Sequence, residues 1–296
     1  MAVRFGTNPI AWSNDDLRSL GGATPLETCL KEAKQAGFEG IELGHKFPRE
    51  AVALKKVLAP SGLDLVSGWY SCELLLRDAK EELTHIRAHL DLLKAMGATV
   101  LIIAETSNAI HGDLDKPISQ RPTLEPGQWA EFGRRMTEVA KGVKAEGLRL
   151  VYHHHMGTVV QSADDIHAFM AATGPEVDLL LDTGHATFAG ADPVALARAY
   201  AARIRHVHCK DVRLEVLAEV RKKDKSFLGA VVDGCFTVPG DGGVDFVTVL
   251  KQLPGYQGWL VVEAEQDPEK ANPLKYATMG AANLKRFAAA AGLAAA

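Results

Sequence analysis

Four stretches in the second half of the chain end on side chains that bind metals or move protons. Residues 148–155 read Leu-Arg-Leu-Val-Tyr-His-His-His, 179–185 Leu-Leu-Leu-Asp-Thr-Gly-His, 204–211 Ile-Arg-His-Val-His-Cys-Lys-Asp and 259–265 Trp-Leu-Val-Val-Glu-Ala-Glu. Each is a short apolar run stopping on imidazoles or carboxylates, the ligand types of borderline divalent cations. In Asp182-Thr-Gly-His185, the aspartate can ligate a metal while His185 meets a substrate, with Gly184 permitting a tight turn; alternatively Asp182 caps a following helix. His206 and His208 alternate along an extended run and share a face, which Lys210 continues. The outer His208 is the natural ligand and His206 a core residue. Beside a divalent cation the Lys210 pKa would fall, making it a proton carrier. Glu263 ends the most apolar run, where an ionised carboxylate is costly unless a cation or donor pairs with it. His153 and His155 share a face opposite His154, so the pair can supply one ligand and one acid/base group; the alternative is a His-rich surface turn. Further polar or aromatic side chains that could line a substrate pocket are Asn8, Trp12, Glu42, Trp69, Glu105 and Arg213.

Side chains this far apart need a scaffold that brings strand ends together. From His153 to Asp182 is 29 positions, from Asp182 to His208 is 26, and from His208 to Glu263 is 55. The first two steps each fit one βα unit of roughly 30 residues, and a long insertion explains the third. Apolar periodicity and turn residues predict strands at 3–10, 39–43, 63–69, 99–104, 148–153, 177–181, 204–208 and 259–263. Helices are predicted at 24–36, 48–59, 78–96, 126–146, 162–172, 192–200, 245–253 and 272–291. Eight βα units in order predict an α/β protein folded as a (β/α)₈ TIM barrel, one domain over residues 1–296, with long loops after strands four (105–125) and seven (211–244). The second loop is expected to carry an extra helix at 213–225 followed by a Gly-rich tail. The main rival, a doubly wound open sheet, would use fewer strands and a Gly-rich phosphate loop, which this sequence lacks.

Composition agrees with a packed globular domain. Of 296 residues, 47% are hydrophobic and 24% charged. A net charge of −4 and a pI near 6.3 argue against a nucleic-acid partner. Cys29, Cys72, Cys209 and Cys235 form no CxxC pair and read as free thiols in a reducing compartment. With no signal-peptide pattern and no spanning apolar run, the expectation is a cytoplasmic protein without a membrane partner.

The order Asp-x-Gly-His, His-Val-His-x-Lys-Asp, Pro-Gly-Asp-Gly and a strand ending Val-Val-Glu resembles the xylose-isomerase-like sugar isomerase/epimerase superfamily over nearly the whole chain. Within it, residues 6–16, 21–30, 40–49, 152–158 and 232–243 are similar to the inosose dehydratase family. That resemblance implies a hydro-lyase of myo-inositol catabolism, converting 2-keto-myo-inositol (scyllo-inosose) to 3D-trihydroxycyclohexane-1,2-dione. It places the metal ligands on Asp182, His208 and Glu263, and puts His153 where most relatives have a glutamate. It implies Mn²⁺ or Co²⁺, with Zn²⁺ also suited to mixed ligands, and links the activity to glutathione, which no residue here explains. The ion would act as a Lewis acid on the ketone. His155 or Lys210 would take the α-proton, and His185 or the other of that pair would protonate the departing hydroxyl. The expected partner is a small polyhydroxy ketone, and self-association into a homo-oligomer is compatible with the sequence. Alternatives are a metal-dependent sugar or hydroxy-ketone isomerase or epimerase, a non-catalytic sugar-binding barrel and, more distantly, a barrel endonuclease.

Overall fold

The computed structural model describes residues 2–293. The described residues form ten strands in chain order: β1 (Arg4–Thr7), β2 (Gly40–Leu43), β3 (Asp64–Cys72), β4 (Val100–Glu105), β5 (Arg149–His153), β6 (Val177–Asp182), β7 (Ile204–Cys209), β8 (Asp211–Val212), β9 (Phe236–Thr237) and β10 (Trp259–Val262). Eight of them close a parallel barrel in the order β1-β2-β3-β4-β5-β6-β7-β10, with β10 returning to β1. The expected (β/α)₈ TIM barrel is therefore the observed fold. The remaining pair, β8 and β9, forms a small antiparallel sheet at the mouth.

The helices are α1 (Leu26–Gln35), α2 (Ala51–Leu58), α3 (Ala79–His85), α4 (Arg87–Ala95), α5 (Gln128–Ala145), α6 (Ala163–Ala172), α7 (Thr183–Phe188), α8 (Pro193–Tyr200), α9 (Leu214–Lys222), α10 (Phe227–Val232), α11 (Phe246–Lys251) and α12 (Pro273–Ala290). Their starts follow from local chemistry. Ser162 and Asp165 form a reciprocal capping box on α6, and Asp78, Asp192, Asp245 and Asn272 accept first-turn N–H groups of α3, α8, α11 and α12. The helix expected over 78–96 is two helices meeting at Ile86. The tail after α9, expected only to be Gly-rich, contains α10, which Ser226 caps.

Three apolar layers position the site. The largest lies between barrel and helices. A small one, Val100, Ile102, Val151 and Leu180 under Trp69, fills the barrel interior. The third sits on the C-terminal mouth and is built mostly from the loop after β7, including Leu217, Val220, Phe227, Leu228 and Phe236, with Leu17, Leu20 and Ile118 packed onto it. Burying each large apolar side chain contributes roughly 1.5–3 kcal/mol, so this cluster fixes three mouth loops relative to one another. The Gly-rich run is fixed as well, because the Asp211 carboxylate accepts N–H groups from Gly240, Gly242 and Val244. A Cβ at Gly242 would collide with that carboxylate.

Candidate metal centre

β5, β6, β7 and β10 are consecutive neighbours around the barrel, and their C-terminal ends deliver His153, Asp182, His208 and Glu263. Asp182 and His208 are register partners across β6 and β7. The Asp182 Oδ2 atom lies 3.4 Å from His153 Nε2 and 3.5 Å from His208 Nδ1, and His208 Nδ1 lies 3.1 Å from Glu263 Oε2. All four side chains are buried. Among the described residues, none of these four atoms makes a well-aligned hydrogen bond, although the Lys210 ammonium pairs with Glu263 Oε2 at 3.0 Å. Four convergent donor atoms, from two imidazoles and two carboxylates, form a set that fits a divalent cation. The cap read from sequence as the alternative for Asp182 is observed, Oδ1 accepting the His185 N–H at 2.7 Å at the start of α7, while Oδ2 faces the centre. Gly184 is not at a left-handed turn; it lies in α7, where a Cβ would strike the Lys210 stem.

The surrounding groups fix charge and orientation. Glu42 reaches across the barrel, its Oε1 accepting from His206 Nε2 at 2.7 Å and His208 Nε2 at 3.1 Å, and its Oε2 from Asn8 Nδ2 at 2.8 Å. Burial alone would raise its pKa, but His208 and His206 bring it down to about 2. Burial likewise acts on Glu263, where His208 and Lys210 prevail and hold it at about 2, and Asp182 is held low mainly by Lys210 and His208. Against the burial penalty, Glu263 and Glu42 keep His208 well above the usual imidazole range. Burial, then His208, pushes His153 well below it. On the far face of β5, His154 Nε2 accepts the Asp182 backbone N–H at 3.2 Å and so supports the strand end carrying the ligand.

Lys210 is fully buried. Its Nζ lies 2.9 Å from His185 Nε2 and 3.0 Å from both Glu263 Oε2 and Glu265 Oε1. Those carboxylates outweigh burial and hold the ammonium charged, opposing the fall expected beside a cation. A cavity of about 80 Å³ opens on the centre, lined by Asn8, Asp16, Glu42, Trp69, His111, His153, His155, His208, Glu263 and Glu265 among others. Lys210 and His185 stand behind this lining. His155 is in it; burial and then His111 keep its imidazole neutral, and its Nδ1 pairs with the Met156 carbonyl at 2.9 Å.

Three side chains suggested as substrate contacts lie elsewhere. Trp12 is buried, its indole N–H on Glu32 at 2.7 Å. Glu105 accepts from Leu74 N and Ser107 N and braces the loop after β4. Arg213 ties the β7 loop through Gly234 O and Asp241. Glu42 and Asn8 do line the cavity, but they are already bonded to each other. Sequence reasoning passed over His111, which had no local signal beyond its place in a long loop, and gave no role to Glu265 although its i, i+2 relation to Glu263 signalled a shared face.

The chain matches a family model described as "Xylose isomerase-like TIM barrel" over residues 30–287. It is 51% identical over 294 residues to the rhizopine catabolism protein MocC of Rhizobium meliloti, covering 99% of this chain and 90% of that protein. It is 43% identical over 279 residues to the inosose dehydratase of Geobacillus thermodenitrificans, covering 93% and 94%. Among solved structures, the IOLI protein with a bound zinc atom superposes with a TM-score of 0.66 at 15% identity, covering 98% of each chain. With that extent of match the chain belongs to the xylose isomerase-like TIM barrel family.

Proposed function

We propose that this protein is a metal-dependent hydro-lyase that removes water from 2-keto-myo-inositol. The observation that carries the reading is the meeting of a four-donor metal-type centre with a neutral imidazole and a second carboxyl group in one cavity. The identity to inosose dehydratases supplies the substrate class. His153, Asp182, His208 and Glu263 would hold the ion, for which Mn²⁺ or Co²⁺ is our assignment and Zn²⁺ the competitor. When bound, it supplies Lewis-acid polarisation of the substrate ketone.

The chain's own groups carry the protons. His155 has Nδ1 on the Met156 carbonyl, which leaves Nε2 as the basic atom, placed to take the proton α to the ketone. Glu265 lines the cavity and burial raises its pKa to about 8. It is placed to deliver a proton to the departing β-hydroxyl, which leaves as water while the C=C bond forms. Lys210 and His185 act through Glu265 rather than on substrate. Trp69 forms an apolar wall beside His153 and His155, with ring centroids 5.2 and 5.3 Å away. We further propose one domain working in the cytoplasm, in keeping with four buried free cysteines, on a small polyhydroxy ketone, without nucleic acid and as a homo-oligomer.

The test is incubation of Mn²⁺- or Co²⁺-loaded protein with 2-keto-myo-inositol while the ultraviolet absorbance of the conjugated product is followed. We expect turnover that chelation abolishes, and a folded but inactive His208→Ala variant. Full activity after chelation would overturn the reading. The 51% identity to MocC favours a second reading, in which the same centre acts on a substrate of rhizopine catabolism; preference for such a substrate over inosose in the same assay distinguishes the two.

A further inference from the structure

A second group of ligand-type side chains adjoins the first. His155, His185 and Glu265 are buried, and one donor atom from each lies within 4.8 Å of the others. His185 also belongs to the group formed with His153, Asp182 and Glu263. Donors in this arrangement could hold two neighbouring ions. The chain, however, places a cation of its own there: the Lys210 ammonium, hydrogen-bonded to His185 Nε2 at 2.9 Å and Glu265 Oε1 at 3.0 Å.

We propose that Lys210 is a tethered cation that fills a second metal-type site and restricts the centre to one ion. This rests on the metal reading given above. An ammonium only donates, so the lone pair of His185 Nε2 is committed to it and is not offered to an ion, although that atom is 3.9 Å from Asp182 Oδ2. The stem is held in place. The Lys210 backbone N–H and C=O both bond Thr183 Oγ1, at 3.1 and 2.7 Å, and the side chain passes so close to Gly184 that no Cβ fits there. The Phe236 ring lies 5.0 Å from Nζ. A single positive charge satisfies Glu265 with less repulsion toward a neighbouring dication than a second dication would bring. It also leaves His155 outside any ligand set, free to act as a base.

The stoichiometry of bound metal decides the matter. Equilibrium dialysis against Zn²⁺ or Co²⁺, followed by elemental analysis, should find one ion per chain in the wild type and two in Lys210→Met, which removes the charge and keeps the stem. Adding His155→Ala to that variant should return the count to one. Lys210→Arg, which keeps a charge, should hold one, and Lys210→Gln gives the neutral reading should the methionine variant not fold. One ion in the neutral variants, or two in the wild type, would overturn the proposal. A wild type that binds none would overturn the metal reading itself, and the proposal with it.

Discussion

One carboxylate decides what two imidazoles present to the centre. Glu42 Oε1 accepts from both His206 Nε2 and His208 Nε2, which requires a proton on each of those nitrogens and turns His208 Nδ1 toward Asp182 and Glu263. Partners of this kind orient a ligand and raise its basicity. Glu42→Gln removes the charge and cannot reproduce all three accepted bonds. It should weaken Zn²⁺ or Co²⁺ affinity about 10–100-fold, read by chelator competition, and should change the ¹⁵N signature of His208. Unchanged affinity would show that packing alone orients that ring. The sequence offered Glu42 as a substrate contact because it ends a strand. Its true partners lie 164 and 166 positions away, and no local pattern reports such a bond. The strand-end residues on β5, β6, β7 and β10 were legible because period-2 alternation and metal-ligand chemistry coincide there. His111 and the Lys210–Glu265 pairing were hidden because each depends on a loop or a neighbouring strand.

At the scale of elements, βα alternation was readable because each barrel strand is apolar and most helices carry a cap or a terminal glycine. What escaped were α7 and α10, six residues each. Phe227, Leu228, Ala230 and Val231 of α10 are all buried, and its remaining face is only Gly229 and Val232, so it shows no polar face from which to count a 3.6-residue period. Also invisible was the meeting of the two long loops. The Ile118 N–H donates to the Lys225 carbonyl at 3.2 Å, and the Asp224 carboxylate accepts from Ser119 N and Oγ. Asp224 has φ +43°, alone among non-glycine residues described, at the position after α9 where glycine is usually preferred. Asp224→Gly therefore relaxes the backbone while removing the latch. The melting temperature should shift by less than about 3 °C, because exposed hydrogen bonds contribute only about 1 kcal/mol. Proteolysis within 106–127 should accelerate and KM should rise. An unchanged cleavage rate would mean that Leu17, Leu20 and Ile118 hold the mouth without the latch.

Across the whole molecule, burying so many imidazoles makes stability depend on pH. His89, His153, His154, His155, His185 and His206 have pKa values lowered chiefly by burial, His89 and His154 to about 4. In the unfolded chain each takes up a proton near pH 6.5. Below that value the unfolded state binds more protons, so these residues lower stability as pH falls from about 6.5 toward 4. Glu42 and Glu263, held at about 2, extend the loss from about pH 4.5 downward. His208 works oppositely: its raised pKa gives stability that is fully present below pH 6.5 and is lost as pH rises through the folded value. The raised acids Asp16, Glu105, Asp211 and Glu265 also pull that way, but the six imidazoles outnumber them. The chelated protein should therefore lose more than about 5 °C of melting temperature between pH 7 and pH 5. With saturating Mn²⁺ or Zn²⁺ the added stability should itself shrink over the same interval, because His208, held protonated in the folded chain, must shed a proton to bind an ion. Calorimetry across that range, with and without chelator, tests both statements. A flat profile for the chelated protein would show that the imidazoles reach water, and a metal increment independent of pH would show that the ion is held by carboxylates alone.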